Sequence, residues 1–213
     1  MKCPRQSSSG SVAGVPGTAA CSARPFGGYG AITHAPRHSD VWAAAACHFG
    51  DMGFELCYLP DMPAVLRALA GAENSIEKWW QQLEAARKHP EGSFNALAMA
   101  ASYDPDPSQF LGIRPPVTFD TCEVIEERWA NWLRQDPVVA IETQADNLRR
   151  LKALYIDCGG KDQFNLLYGA RRFVRRLNEL GIAHRYEEFL DNRTGLDYRM
   201  DESLRFLAQA LSG

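Results

Sequence analysis

The sequence lacks three features that would assign it to a special class: a long hydrophobic run, clustered metal ligands and an excess of basic residues. Its formal net charge is -3, so its composition does not indicate nucleic acid or an anionic membrane as a partner. The 6 cysteines include no Cys-x-x-Cys pair and the histidines are not clustered, which disfavours a zinc site and a disulfide framework. The polar residues 1–10 predict no signal peptide. We therefore expect a cytoplasmic protein with reduced thiols and no metal or cofactor.

The composition is that of a globular protein of one medium-sized domain. The chain has 213 residues, of which 46% are hydrophobic and 23% charged. Residues 1–24 are an exception, because they are rich in Gly, Ser, Ala and Pro and contain no aromatic residue. Such a segment buries too little apolar surface to offset its ordering entropy. It is predicted to be disordered, with a flexible regulatory tail as the alternative.

The remainder of the chain alternates between strand and helix patterns. Buried or alternating apolar runs predict strands at 41–47, 153–157 and 183–189. Amphipathic patterns predict helices at 144–151, 164–180 and 201–211. Strands and helices in this order imply right-handed parallel crossovers. The predicted fold class is therefore α/β, a doubly wound and mostly parallel sheet.

A block at about 52–137 interrupts this alternation. Its apolar spacing predicts helices at 63–69, at about 76–83, at 94–101 and at 123–133, with Pro137 as a stop signal and a short strand at 117–119. It contains four of the 5 tryptophans. We interpret the block as a helical lid inserted into the sheet domain. The alternative is a set of ordinary packing helices.

Three loops are predicted to meet at one edge of the sheet, where open α/β sheets bind their ligands. They lie at 24–28, 157–162 and 190–195. The glycine pair Gly27-Gly28 suits a tight turn, because glycine adopts positive φ at little cost. Nucleophile, acid and histidine at three such places, in that chain order, is the arrangement of an α/β-hydrolase triad.

Several motifs then resemble one family, the esterase family of α/β-hydrolases related to esterase D. They lie at 27–31 (GGYGA), 37–42 (RHSDVW), 48–52 (HFGDM), 54–60 (FELCYLP), 154–166 (LYIDCGGKDQFNL), 187–189 (EEF) and 195–199 (GLDYR). The resemblance covers the chain from about residue 26 onwards. It implies the hydrolase fold and descent from enzymes that cleave small carboxylic esters by serine attack, with a histidine base and an aspartate that orients it. The backbone N–H of Phe26, beside Gly27, would help to bind the oxyanion.

The chain departs from the family pattern at two positions of that triad. Pro25 occupies the nucleophile position and has neither a nucleophile nor an N–H. Arg193 occupies the histidine position, and arginine cannot act as a general base because its pKa exceeds about 12. Asp162 matches the catalytic aspartate, with Asp157 as the rival carboxylate. His48 is the best remaining histidine for a site role, although a histidine that braces the loop is the stronger interpretation.

The family also has several strands before the serine turn, and this sequence shows no pattern for them. Residues 13–22 do not look like a strand. The sheet would then keep an uncovered edge, which predicts poor solubility or self-association. A one-base change of reading frame before Gly27 would explain the loss of the serine motif. Our hypothesis is that residues 1–25 are an out-of-frame start on an esterase gene, through a sequencing slip or gene decay, and resequencing the locus tests it.

The sequence therefore predicts a truncated α/β-hydrolase domain at 26–213 that carries an insertion at about 52–137 and follows an irregular segment at 1–25. Loss of the serine and histidine predicts a protein that does not hydrolyse esters, because removing the nucleophile alone costs orders of magnitude in rate. The alternative function is that of a non-catalytic ligand-binding or scaffold protein.

Overall fold

The computed structural model describes residues 19–23, 25–86, 93–192 and 197–212. The chain divides into two compact units. The first, here called the sheet unit, draws on residues up to 50, on 142–163 and on residues from 173 onwards. The second, here called the helical unit, comprises the described parts of 51–141 and 164–172.

Four parallel strands form the centre of the sheet unit. They are β1 (Ala19–Ala23), β2 (Trp42–His48), β3 (Ala153–Gly159) and β4 (Arg185–Phe189), and their spatial order is β1-β2-β3-β4. All of β3 and all but the first residue of β2 are buried. Burial along the whole strand is typical of parallel sheets covered on both faces. The predicted α/β class with a parallel sheet is confirmed.

Nine α-helices are present among the described residues. They are α1 (Pro25–Arg37), α2 (Phe54–Cys57), α3 (Met62–Ala70), α4 (Ile76–Ala86), α5 (Ser93–Tyr103), α6 (Glu126–Leu133), α7 (Pro137–Arg149), α8 (Leu166–Glu179) and α9 (Asp197–Ser212). The last helix packs on the sheet, where Leu207 joins a buried cluster with Ala44, Ala46, Ala153 and Tyr155. Strand side chains alternate in direction, so these residues mark the face of β2 and β3 that α9 covers.

The helical unit has an aromatic core. The rings of Phe54, Tyr58, Tyr103 and Trp132 lie with their centroids between 4.9 and 6.1 Å apart in most pairs. Buried Asp136 accepts hydrogen bonds from the backbone N–H groups of Gly53, Phe54 and Val138. One carboxylate thus pairs with N–H groups that have no partner within the helix, at the starts of both α2 and α7.

Two segments differ from the sequence prediction. Residues 19–23 form β1, paired in parallel with β2, so the prediction of irregular structure is wrong there. Small residues such as Ala and Ser carry a weak strand signal, and pairing with a neighbouring strand supplies what propensity does not. Pro137 begins α7 instead of ending a helix, because proline is favoured in the first turn, where its missing N–H has no partner to lose.

Smaller differences concern the bounds of elements. The short strand predicted at 117–119 is a single antiparallel bridge between Val117 and Val124. Pro36 lies in the last turn of α1, which continues to Arg37. Most of segment 1–24 lies outside the described residues, and its predicted disorder stays a prediction.

Candidate functional site

His48 ends β2 and lies beside Asp157, which is two residues before the end of the neighbouring strand β3. They are register partners in the pairing of β2 with β3. Both side chains follow the alternation of Ala46 and Tyr155 and so point to the α9 face. His48 Nδ1 lies 2.9 Å from Asp157 Oδ1. Both residues are buried, with 2% and 1% of their surface exposed.

Helix α9 completes a Ser-His-Asp set. Ser203 Oγ lies 2.8 Å from His48 Nε2, on the opposite side of the ring from Asp157. Hydroxyl, imidazole and carboxylate are therefore linked in the order used by serine hydrolases. Ser203 has 0% of its surface exposed, and it lies within the helix instead of at a turn.

Hydrogen bonding in this set is complete in either protonation state of His48. Ser203 Oγ lies 3.2 Å from the Met200 carbonyl oxygen as well as near the ring. With a neutral ring, Nδ1–H donates to Asp157 and the Ser203 hydroxyl donates to Nε2. With a charged ring, Nε2–H donates to Ser203, whose hydroxyl turns to the Met200 carbonyl. Neither state leaves a ring nitrogen unpaired.

Arg199 extends the set into a larger network that is buried except at Glu187, whose side chain is 26% exposed. Its Nε donates to the second oxygen of Asp157 at 2.9 Å, and its terminal nitrogen bonds to Tyr155 Oη and to the Glu187 carboxylate. The guanidinium also lies 4.7 Å from the centroid of the Phe189 ring. Arg199 is thus held by charge, hydrogen bonds and ring contact at once.

The charges of this network shift the ionisation of its members. Burial raises the pKa of Glu187, but hydrogen bonds from Arg199, Arg185 and Tyr155 outweigh it and hold this pKa below its usual range. Burial, followed by the Asp157 charge, raises the pKa of the Tyr155 hydroxyl far above its usual range, so it stays a hydrogen-bond donor. We refer to His48, Asp157, Ser203, Arg199, Tyr155 and Glu187 as the buried network.

The buried network has the connectivity of a catalytic triad, but a substrate cannot reach its serine. A catalytic serine must reach a substrate carbonyl and needs N–H donors aimed at the developing oxyanion. Ser203 is sealed from solvent, and its own N–H lies inside a helix. In this state the arrangement can fix the ends of β2 and β3 to α9, but it cannot attack an ester.

The predicted triad positions lie elsewhere in the sheet unit. Pro25 is the first residue of α1, two positions beyond the end of β1 at Ala23, and Phe26 and Gly27 continue its first turn. Asp162 follows β3, and its backbone N–H donates to the Gly159 carbonyl. Arg193 lies outside the described residues. The catalytic and oxyanion roles assigned to these residues therefore stay predictions.

A strand followed at once by a helix is nevertheless the geometry expected for the serine turn of a hydrolase. Gly28 makes this turn tight, because a methyl group added there would overlap the carbonyl oxygen of His48. The backbone of α1 thus contacts the end of β2 closely. His48 itself matches the interpretation of a satisfied histidine that braces its loop.

Sequence reasoning missed Ser203 and gave Arg199 no role. The signal for both was available only once α9 was known to cover the face of His48 and Asp157. Arg199 and Ser203 are four positions apart and so lie on one side of a helix.

Among the described residues no group of three or more His, Cys, Asp or Glu side chains could hold a metal ion. No helix of the described part is long and apolar enough to cross a membrane.

Comparison with solved structures identifies the fold. A ferulic acid esterase superposes with a TM-score of 0.50 at 16% identity, over 92% of this chain and 53% of that one. This chain has an α/β-hydrolase fold. Two Staphylococcus aureus proteins match at 12% identity over 90% of this chain. They are the fluorophosphonate-binding serine hydrolase FphF, with a TM-score of 0.45, and the S-formylglutathione hydrolase FrmB, with 0.48.

The chain spans about half the length of these structures, between 53% and 54%. No family model matches the sequence, and no curated protein matches it either. The hydrolase fold is thus a finding, and of these three proteins the first is an esterase by name.

Proposed function

We propose that this protein is a catalytically silent relative of the carboxylic ester hydrolases. The observation that carries the proposal is the sealed Ser203, the one hydroxyl of the described chain placed beside a His-Asp pair. Pro25 at the start of α1 supports it, because the position after β1 offers no nucleophile. The truncated domain at 26–213 and the insertion at about 52–137 remain part of the proposal, as does the frame hypothesis for 1–25.

Hydrolysis of a short-chain p-nitrophenyl ester tests this proposal. Wild-type protein is compared with Asp162→Ala and Ser203→Ala, and a fluorophosphonate probe reports any reactive serine. We expect no turnover above buffer and no labelling in any of the three. Turnover that Asp162→Ala abolishes would overturn the proposal and restore the esterase triad with a substitute nucleophile. Turnover and labelling lost only in Ser203→Ala would overturn it by showing that the buried network opens.

A second candidate function is binding of a small molecule without catalysis. A cavity of about 590 Å³ in the helical unit favours it. That volume lies in the range of small-molecule sites, about 300–1,000 Å³. An evolved binding protein should also keep a well-packed core, and the buried strands β2 and β3 support that expectation.

We also propose self-association through β1. Among the described residues β1 pairs with β2 alone, so its other edge is unpaired there. The strand carries no charge and no proline, whereas the opposite edge strand, β4, contains Arg185, Glu187 and Glu188. Charged residues protect sheet edges from pairing. Light scattering should detect an oligomer that Cys21→Lys dissociates; a monomeric wild type contradicts this.

We also propose a cytoplasmic location, because all five described cysteines have free thiols.

A further inference from the structure

The cavity of the helical unit has a lining that the hydrolase fold does not explain. It lies between the start of α4, the segment 108–114 and Phe119. Its lining residues are Asn74, Ser75, Ile76, Glu77, Ser108, Gln109, Phe110, Ile113, Arg114 and Phe119. Six of these ten are polar, which disfavours a lipid or other wholly apolar occupant.

Several polar groups of the lining remain available for a ligand. The side chains of Asn74 and Glu77 make no hydrogen bond to any other described residue. Gln109 uses only its amide N–H, towards Ser108 at 3.3 Å, so its carbonyl oxygen is available. Donors and acceptors are thus mixed around one opening, which suits a ligand with several hydroxyl groups.

The lining carries charges of both signs. Glu77 contributes a carboxylate and Arg114 a guanidinium, which also donates to Asp106 at 3.3 Å. The Arg114 side chain keeps 47% of its surface exposed and can turn its remaining donors to a ligand. An anion is disfavoured, because Arg114 is already paired with Asp106 and Glu77 would repel it. A neutral occupant with several hydroxyl groups can bond to both side chains without separating Arg114 from Asp106.

Both loops of the cavity wall are held in place before any ligand arrives. Asp106 fixes one, since its N–H donates to the Gly112 carbonyl and its carboxylate accepts from the Ser108 N–H and hydroxyl. Thr118 fixes the other: its hydroxyl lies 2.7 Å from the Thr121 hydroxyl and accepts from the Glu123 N–H. Such order lowers the entropy cost of binding.

Apolar surface completes the site. Ile76 and Ile113 are buried beside it, and Phe119 keeps 37% of its surface exposed at the tip of the Thr118 loop. An exposed aromatic ring next to hydroxyl-binding groups offers a flat apolar surface to the C–H face of a sugar. We propose that the cavity binds a neutral saccharide, with Phe119 stacked on a sugar ring and Glu77 and Asn74 bound to its hydroxyls.

Ligand-detected NMR on the full chain tests the proposal. The probes are the neutral disaccharides cellobiose, xylobiose, mannobiose and lactose, beside glucuronate, glucosamine and adenosine. At least one neutral disaccharide should bind saturably, and Phe119→Ala should weaken it about tenfold, as expected for loss of one aromatic contact. Glu77→Gln should weaken it less, because one acceptor oxygen remains. Tyr168→Ala, which removes an aromatic ring 54% exposed elsewhere on the helical unit, should leave binding unchanged.

Each other result overturns the proposal. Absence of binding by all four disaccharides rejects a saccharide site, and binding by adenosine, glucuronate or glucosamine alone assigns the cavity to another class of ligand. Equal weakening by Phe119→Ala and Tyr168→Ala places the interaction outside the cavity. None of these readouts depends on ester hydrolysis, so the proposal stands or fails separately from catalytic silence.

Discussion

The same three residue types serve opposite purposes in the two units. In the sheet unit Ser203, Asp157 and Arg199 are buried and bonded to each other or to His48. In the helical unit Ser108, Asp106 and Arg114 form a comparable set at the surface. Burial makes the first set a structural requirement, because an unpaired charge there cannot be hydrated. The second set is partly exposed, so water can hydrate a group there that loses its partner.

Asp157→Ala should have the largest effect on stability of any change considered. It leaves Arg199 without a partner at Nε and His48 without its acceptor at Nδ1. Breaking a buried ion pair from one side costs about 3–5 kcal/mol. Asp106→Ala is the matched control and should lower the urea midpoint less, because the Asp106 side chain is 17% exposed and water can reach the partners that it leaves. Equal losses in the two variants would show that burial does not distinguish the two sets.

Gly28→Ala should have the next largest effect. The added methyl group would overlap the His48 carbonyl, and overpacking of this kind costs about 1–3 kcal/mol. Gly30→Ala is the control in the same helix, because a methyl group there has no neighbour within 4 Å. Thermal unfolding of both variants measures the difference. A stable Gly28→Ala protein would mean that α1 is not held against the end of β2.

The sheet could be predicted from sequence because its strands are continuous apolar runs. Strand β3 reads Ala-Leu-Tyr-Ile-Asp-Cys-Gly and lies within two residues of its predicted bounds. Strand β1 could not be predicted, since five small residues carry little strand propensity and depend on pairing with β2. Pro137 also depends on its surroundings: proline is favoured at the first position of a helix but interrupts a helix elsewhere, and here it starts α7.

The buried network was only half visible in the sequence. His48 stands at the end of β2 and Asp157 near the end of β3, and those positions alone marked them as candidates. Ser203 stands in the middle of an amphipathic helix, where serine is unremarkable. Only the register of β2 with β3, and the face that α9 covers, brings the three together. Contacts between residues more than 150 positions apart leave no mark in local periodicity.

Ser203→Ala should have a smaller effect than Gly28→Ala. It removes the partner of His48 Nε2 but leaves no charge unpaired, so about 1 kcal/mol of stability is lost. Ser108→Ala is the surface counterpart and should change nothing measurable in urea unfolding. A larger loss in Ser108→Ala than in Ser203→Ala would reverse the comparison between the two units.

The smallest effects should appear as opposite pH dependences of the two units. In the sheet unit the pKa of Glu187 is lowered, so its contribution to stability is present at neutral pH. That contribution is lost as the pH falls below about 4.3, the ordinary pKa of a glutamate. In the helical unit burial raises the pKa of Asp136 despite the hydrogen bonds from Phe54, Val138 and Gly53. Its contribution is therefore greatest in acid and declines as the pH rises through that raised value.

Urea unfolding between neutral pH and pH values of about 3.5 separates these two contributions. Glu187→Gln should flatten the loss of stability in acid, because the group that takes up a proton on unfolding is gone. Asp136→Asn should steepen it, because the gain that offsets the loss is gone. If Glu187→Gln steepens the loss as Asp136→Asn does, then burial outweighs the arginines at Glu187 as well. The buried network would in that case not be the charge-stabilised set that distinguishes the sheet unit from the helical unit.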